Sequence, residues 1–334
     1  MVMLLLVACA SDKEVSRSFY YWKPQFEIAG DDAKMLAALG SDKIYLKCFN
    51  LAWDNPTKSV KAKDVLKINA SEIPVNLEIV PVAYIDNEIF KNMPVKDVDL
   101  LADEFFKVFS EFSDSASFSW AELQIDCDWN TDTRDQYFSF LNLLKARLRP
   151  IEQILSCSIR LRHIKSPDIS GIPPVDRGML LYYNMGSIDE PGTRNSIYDS
   201  EVAARYVSYI RSYRLPLDIA LPVFTWGVHQ RNGSVISVIQ NLSLKETRES
   251  GMFVEKAKGL FVPLAGCYFK GSYFKESDRL RVEEISPGKS LKAAKQVKPF
   301  LKSQNISVAL FHLDSANTSR YGQEAFEELY SVFE

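Results

Sequence analysis

This chain of 334 residues is poor in the side chains that most reactive sites draw on: it has three histidines, five cysteines and 14 glycines. The cysteines show no CxxC spacing, which argues against a zinc knuckle. No glycine-rich phosphate loop or nucleophilic serine motif is recognisable. Lysine and arginine are spread evenly at a net charge of -3, so no basic block argues for nucleic acid. No segment reaches the ~18 apolar residues of a membrane-spanning helix. Low-complexity tracts and fixed-period repeats are absent too. What is present, 46% hydrophobic and 25% charged residues, is ordinary globular composition with material for one large core.

The N-terminus differs from the rest. Met1 to Ala8 is apolar and is followed by Cys9-Ala10-Ser11-Asp12-Lys13. An apolar run ending in small residues signals export. Leu6-Val7-Ala8-Cys9 looks like a bacterial lipobox, in which Cys9 carries the lipid. No lysine or arginine precedes the run. The expectation is a signal and tether over residues 1–18, with the protein lipid-anchored at the bacterial cell envelope. Cys127 and Cys157 sit among Ile and Leu, and are expected to be buried free thiols.

Strand-like and helical patterns alternate along the remainder. Strands are expected at Phe19–Trp22, Lys43–Trp53, Val75–Ile85, Glu122–Trp129, Leu155–His163, Gly178–Met185, Leu217–Val228 and Val308–Leu313. Helical spacing predicts Asp31–Leu39, a weak helix at Val60–Leu66, then Val95–Phe112, Asp132–Leu148, Ser200–Tyr213, Leu291–Leu301 and Arg320–Phe333. Eight strands with crossover helices predict a (β/α)8 TIM barrel over residues 19–334. About 80 residues between strands seven and eight exceed a normal ~2–6 residue connection. They predict a β-hairpin-containing insertion at about 232–290.

The most informative strand is Leu123-Gln124-Ile125-Asp126-Cys127-Asp128-Trp129. Alternation places Gln124, Asp126 and Asp128 on one face. Two neighbouring carboxylates resist joint ionisation, a cost that a purely structural strand has no reason to carry. Outer helices demand apolar residues outside the barrel, so parity turns the alternate residues of the other strands inward. These are Tyr45, Lys47, Asn76, Glu78, Ser158, Arg160 and Arg162, then Ala220, Pro222, Phe224 and Trp226, then Leu310, His312 and Asp314. Buried charges must be paired, so Lys47, Glu78, Arg160 and Arg162 are expected to partner one another or the aspartates.

Barrel chemistry sits at the C-terminal strand ends. There the candidates are Asp126 and Asp128 as the catalytic pair, with Arg162, Tyr182, Tyr183, Asn184, Trp226 and Asp314 binding substrate. Paired carboxylates beside aromatic platforms suit glycoside chemistry. Asp128 is the expected proton donor and Asp126 its tuner, while Trp226, Tyr20 and Trp22 offer faces to sugar rings or fill the core. Histidine with aspartate also binds zinc, and His312 with Asp314 supports a metal-dependent hydrolase as an alternative. His163 falls on the outer face and His229 past a strand end. A second alternative is a non-catalytic barrel that only binds carbohydrate.

Four segments carry a resemblance: Ile44 to Phe49, Gln124 to Asp128, Tyr183 to Gly186, and Ala309 to Asp314. Through them the chain resembles a family of exported bacterial proteins with a domain of unknown function, thought to adopt a glycoside-hydrolase-like barrel. It is more faintly similar to the chitinase-like family 18 hydrolases. Their four spaced strand-four acids fall here on Ala121, Gln124, Asp126 and Asp128, and their Tyr-Asp-Met on Tyr183, Asn184 and Met185. Two acids are missing, the terminal glutamate is the shorter Asp128, and Asn184 replaces aspartate. The resemblance implies an exported protein acting on or binding a glycan. No cofactor or metal enters this expectation, and no nucleic acid.

Overall fold

The computed structural model describes residues 14–334 except 29, 70–72, 75, 117 and 191. Cys9 and the apolar run before it lie outside the described residues. Strand β1 (Glu14–Tyr21) begins inside the segment expected to be a tether. Residues 14–18 belong to the barrel because they pair in parallel with 305–309.

Eight parallel strands close on themselves: β1, β2 (Lys43–Asp54), β4 (Glu78–Ile85), β5 (Glu122–Asp126), β6 (Ile154–Arg160), β7 (Arg177–Leu181), β8 (Leu217–Pro222) and β16 (Asn305–Phe311). Pairing of β1 with both β2 and β16 completes the ring. Closure leaves no barrel edge unpaired. The chain is a (β/α)8 TIM barrel. The expected helix at Val60–Leu66 is instead β3 (Ser59–Lys63), paired antiparallel with the end of β2. The Asp54 carboxylate, accepting the Thr57 N–H, organises the turn between them.

Outer helices supply the second layer. In α3 (Val98–Ala116), Leu101, Phe105, Phe109 and Phe112 recur at helical spacing and are all buried. Phe105 and Phe112 meet Phe49 of β2 at ring-centroid distances of 5.8 and 6.4 Å. Each such burial contributes about 1.5–3 kcal/mol. Helix α11 (Ser315–Ser331) is broken at Gly322, where φ is 72°. Phe326 and Tyr330 beyond this break cover Phe19 of β1.

Two expected strands end early. Leu155–His163 stops at Arg160, and residues 161–165 turn into helix α5 (Leu161–Lys165). Leu217–Val228 breaks after Pro222. Residues from Thr225 onward enter a five-stranded antiparallel sheet of order β10-β9-β15-β12-β11: β9 (Thr225–Arg231), β10 (Ser234–Gln240), β11 (Phe253–Ala257), β12 (Leu260–Pro263) and β15 (Arg279–Glu284). A hairpin of β13 (Cys267–Phe269) and β14 (Ser272–Phe274) lies between β12 and β15. This sheet has its own small core around Phe253, Phe261, Phe274 and Leu280. Within it, His229 stacks on Phe274 at 3.8 Å and hydrogen-bonds Asp278 at 2.9 Å, which Arg231 also holds at 2.7 Å.

The barrel lumen is polar at its floor. Ser156 donates to Glu122 at 2.5 Å, Arg177 to Asp218 at 2.6 Å, and the Ser307 N–H to Asp218 at 2.7 Å. Glu78 pairs with Lys43 at 3.0 Å, not with Lys47. Burial pushes the Asp218 carboxyl up more than Arg177 and the Ser307 N–H pull it down, leaving it at about 7. The folded state therefore holds a proton that the unfolded chain has lost. This favours folding below the ordinary aspartate value and is lost as pH rises through about 7. Urea titrations at pH 5 and pH 8 should show wild type losing stability relative to Asp218→Asn by about 2–3 kcal/mol. A pH-independent difference would contradict this account.

Candidate functional site

Tyr20, Gln124 and Ser156 form a hydrogen-bonded chain across the mid-lumen. The Tyr20 hydroxyl donates to Gln124 at 2.5 Å, and the Gln124 amide reaches Ser156 at 3.4 Å. Above this layer, towards the C-terminal strand ends, Asp126 is almost fully buried and accepts the Ser158 hydroxyl at 2.5 Å. Asp128 lies just past the end of β5 with a half-exposed side chain. Arg160 and Arg162 both donate to its Oδ1, at 3.0 and 2.8 Å.

The two carboxylates are driven apart electrostatically. Burial raises Asp126 above the usual aspartate range, outweighing Arg160 and Ser158, while the negative Asp128 pushes the same way. Burial also opposes charge on Asp128, but Arg160 and Arg162 together overcome it and hold that carboxyl below its ordinary value. The expected proton donor is thus the more firmly ionised of the pair. Its fixed position is a consequence of Trp129, which is buried and stacks on His163 with centroids 3.6 Å apart. His163 Nδ1 accepts the Arg160 N–H at 3.2 Å, so Nε2 carries the proton facing the Trp129 carbonyl at 3.0 Å. Burial and Arg162 lower this imidazole to about 3. His163 is a structural brace.

Aromatic rings surround the mouth. Phe311 lies 5.6 Å from Tyr20, 5.7 Å from Trp22, 5.1 Å from Tyr183 and 5.4 Å from Phe224. Lys47 sits 5.4 Å above the Trp22 ring, and burial lowers its ammonium against the pull of Asp64 and Asp126. Tyr84 stands level with Asp126 in the β4–β5 register. A β-bulge after Lys47 reverses the facing of β2, sending Phe49 outward against α3 while Lys47 stays inward. The inward phase of strand three, carried to its end, reaches Tyr84.

Several expected site residues fall elsewhere. Tyr182 points away from the lumen and donates to Gln296 of α10 (Pro287–Val297) at 3.1 Å. Asn184 lies exposed just beyond β7 with φ 54°. Arg162 is on α5, not on a strand, yet reaches Asp128. Trp226 is on β9, outside the barrel ring; it meets Phe224 at 5.2 Å and donates to Glu283 at 2.9 Å. Inward facing fails for Leu310, because Ala309 and Phe311 take the lumen and Leu310 stands level with the outward Phe19. Asp314 caps α11 by accepting the Ala316 N–H at 2.9 Å, and pairs with Lys23 at 3.5 Å. His312 is half-buried and lowered to about 4, first by desolvation, with Lys23 adding to that against Asp314. Among the described residues, no group of three histidine, cysteine, aspartate or glutamate side chains is arranged to hold a metal ion.

The arginine clamp makes a specific prediction. Arg160→Met should raise the Asp128 carboxyl back towards or above the ordinary aspartate value. Carboxyl-carbon NMR titration of the variant would read this directly, and an unchanged Asp128 titration would contradict the clamp.

No family model matches this chain, and no curated protein matches it. Solved structures do. The spore cortex-lytic enzyme SleL of Bacillus megaterium QM B1551 is similar at a TM-score of 0.59 and 12% identity, covering 96% of this chain and 75% of that one. The GH18 chitinase ChiB of Flavobacterium johnsoniae aligns at 0.55 and 12% identity, over 96% of this chain and 94% of its own. A chitinase from Chromobacterium violaceum aligns at 0.52 and 12% identity, over 94% and 98%. At such identity the likeness concerns the backbone, and it establishes that this chain has a glycoside-hydrolase-like TIM-barrel fold.

Proposed function

We propose that this barrel binds a glycan at its C-terminal mouth and cleaves a glycosidic bond, with Asp126 as the proton donor. The observation that carries this is the split pair: Asp126 is buried beside Ser158 and its burial pushes its carboxyl up, while Asp128 is clamped by Arg160 and Arg162, which hold its carboxyl down. Oppositely tuned neighbouring carboxyls are the arrangement that acid catalysis of glycosidic cleavage uses. Asp126 gives its proton to the leaving oxygen as the glycosidic C–O bond breaks, water adds to the anomeric carbon and returns a proton to the Asp126 carboxylate, and Asp128 with Arg160 and Arg162 forms the wall beside them. Trp22, Phe311 and Tyr183 supply faces for sugar rings, and Tyr84 and Lys47 donate to hydroxyls. The glycan class is taken from the names of the structural neighbours, chitinases and a cortex-lytic enzyme, which makes N-acetylhexosamine polymers the first substrates to try.

Capture without cleavage is the second reading. It is favoured by the Asp128 clamp, which leaves that oxygen engaged in protein contacts. Chitin oligosaccharides and peptidoglycan fragments offered to the exported chain separate the two. Under the first reading Asp126→Asn lowers kcat by about 10²–10⁴ with little change in binding. Binding that persists with no turnover by wild type would establish capture instead.

The same proposal places the protein at the bacterial cell envelope, held by lipid on Cys9. Cells fed a clickable fatty acid should label the wild-type chain and not Cys9→Ala, which should be released into the soluble fraction. Equal labelling of both would remove the anchor from the proposal.

A further inference from the structure

A groove of about 890 Å³ lies away from the barrel mouth, between residues 192–201, the turn of the β11–β12 hairpin and the start of α10. Six cationic side chains line it, with the carboxylates of Asp199, Glu201 and Glu284; Arg194 and Arg281 are ion-paired, and Lys258, Arg279, Lys289 and Lys292 are the other four. None of these four has a carboxylate within ion-pair distance among the described residues. The groove's acids are otherwise engaged. Asp199 accepts the Glu201 and Val202 N–H groups and faces Arg194 at 3.6 Å, Glu201 faces Arg194 at 3.8 Å, and Glu284 accepts the Leu244 N–H at 3.1 Å. Arg281 is satisfied by Glu283 at 2.6 Å. The lysines reach only neutral oxygens: Lys289 the Glu284 carbonyl and Lys292 the Ser200 hydroxyl, both at 3.0 Å.

This crowding works against the fold. Lys289 and Lys292 are three residues apart on one helix face, a spacing at which like charges repel. Partial burial and then the Lys258 ammonium lower Lys289 below the ordinary lysine value. The chain as a whole carries a net charge of -3, so the excess of cations over carboxylates in this groove is local. A concave site with an excess of one sign of charge focuses the field on an oppositely charged ligand.

We infer that this groove is a binding site for an oxyanion-bearing saccharide, a second site separate from the mouth. The saccharide identity rests on the carbohydrate reading above; the anionic group is required by the four cations. A groove of this volume takes several sugar units, with Asn232 and Ser277 at its wall to meet hydroxyls. The oxyanion is the carboxylate of a uronate or a sulfate ester, which share the same recognition by lysine and arginine.

Isothermal titration of the folded chain with hexagalacturonate, a heparin hexasaccharide and neutral chitohexaose tests this, with backbone NMR shifts locating the site. At least one anionic probe should shift groove residues, bind more weakly as salt rises, and show which oxyanion is preferred. Lys258→Gln/Lys289→Gln/Lys292→Gln should weaken that binding roughly tenfold or more, while the triple arginine variant retains it. Matching thermal melts guard against unfolding as the cause. Asp126→Asn should lose turnover at the mouth and keep the groove interaction, so failure of the catalytic reading is seen separately. Absence of binding by both anionic probes, shifts confined to the mouth, or affinity untouched by the triple glutamine variant would overturn the inference.

Discussion

Closing eight parallel strands into a ring sends every second side chain of every strand into one narrow lumen, and in this chain many of those side chains are polar. Each such group must find a partner inside, because water is excluded and an unpaired buried polar group costs about 1–3 kcal/mol. The result is a stack of polar layers. At the floor stand Glu122 with Ser156 and Asp218 with Arg177, Tyr20 and Gln124 span the middle, and Asp126 with Ser158 lies near the top. Each layer ties neighbouring strands through side chains as well as through the backbone ladder.

The mouth is built on that stack. Because Ser158 holds Asp126 and Arg160 stands nearby, the two acids experience different surroundings only two positions apart. Asp126 is desolvated, whereas Asp128 has emerged far enough to meet two guanidinium groups. The early end of β6 is central here: turning into α5 after Arg160 brings Arg162 round to the same carboxylate oxygen. Trp129, locked between His163 and Tyr137, prevents the strand end from drifting. Catalytic groups in barrel enzymes depend on this kind of support from neighbouring strand ends.

Beyond the ring, the antiparallel sheet that follows β8 adds Trp226 and Glu283 to one side of the aromatic rim through Phe224. Its outer end, with residues 192–201 and α10, frames the cationic groove. The barrel mouth and this groove thus differ in character. The first is aromatic and acidic; the second is basic and lies to the side.

Period-two alternation was legible wherever a strand mixed polar with apolar residues. Gln124, Asp126, Ser158 and Arg160 could be faced inward from sequence for that reason, as could Tyr45 and Lys47. It failed on Val308–Phe311, where apolar residues occupy both faces and nothing marks the inner one, so Leu310 was faced inward in place of Phe311. It also failed where the strand ended unseen: Trp226 belongs to a different sheet, and Asp314 is a helix cap. The sequence by itself determined the eight-strand alternation with helices and the acidic face of β5, because both follow from local periodicity. Which carboxyl is pushed up and which is held down, and which cations lack an ion-pair partner, was decided only by the tertiary structure. Burial and charge pairing depend on residues such as Arg160 and Arg162, more than thirty positions away from Asp128 along the chain.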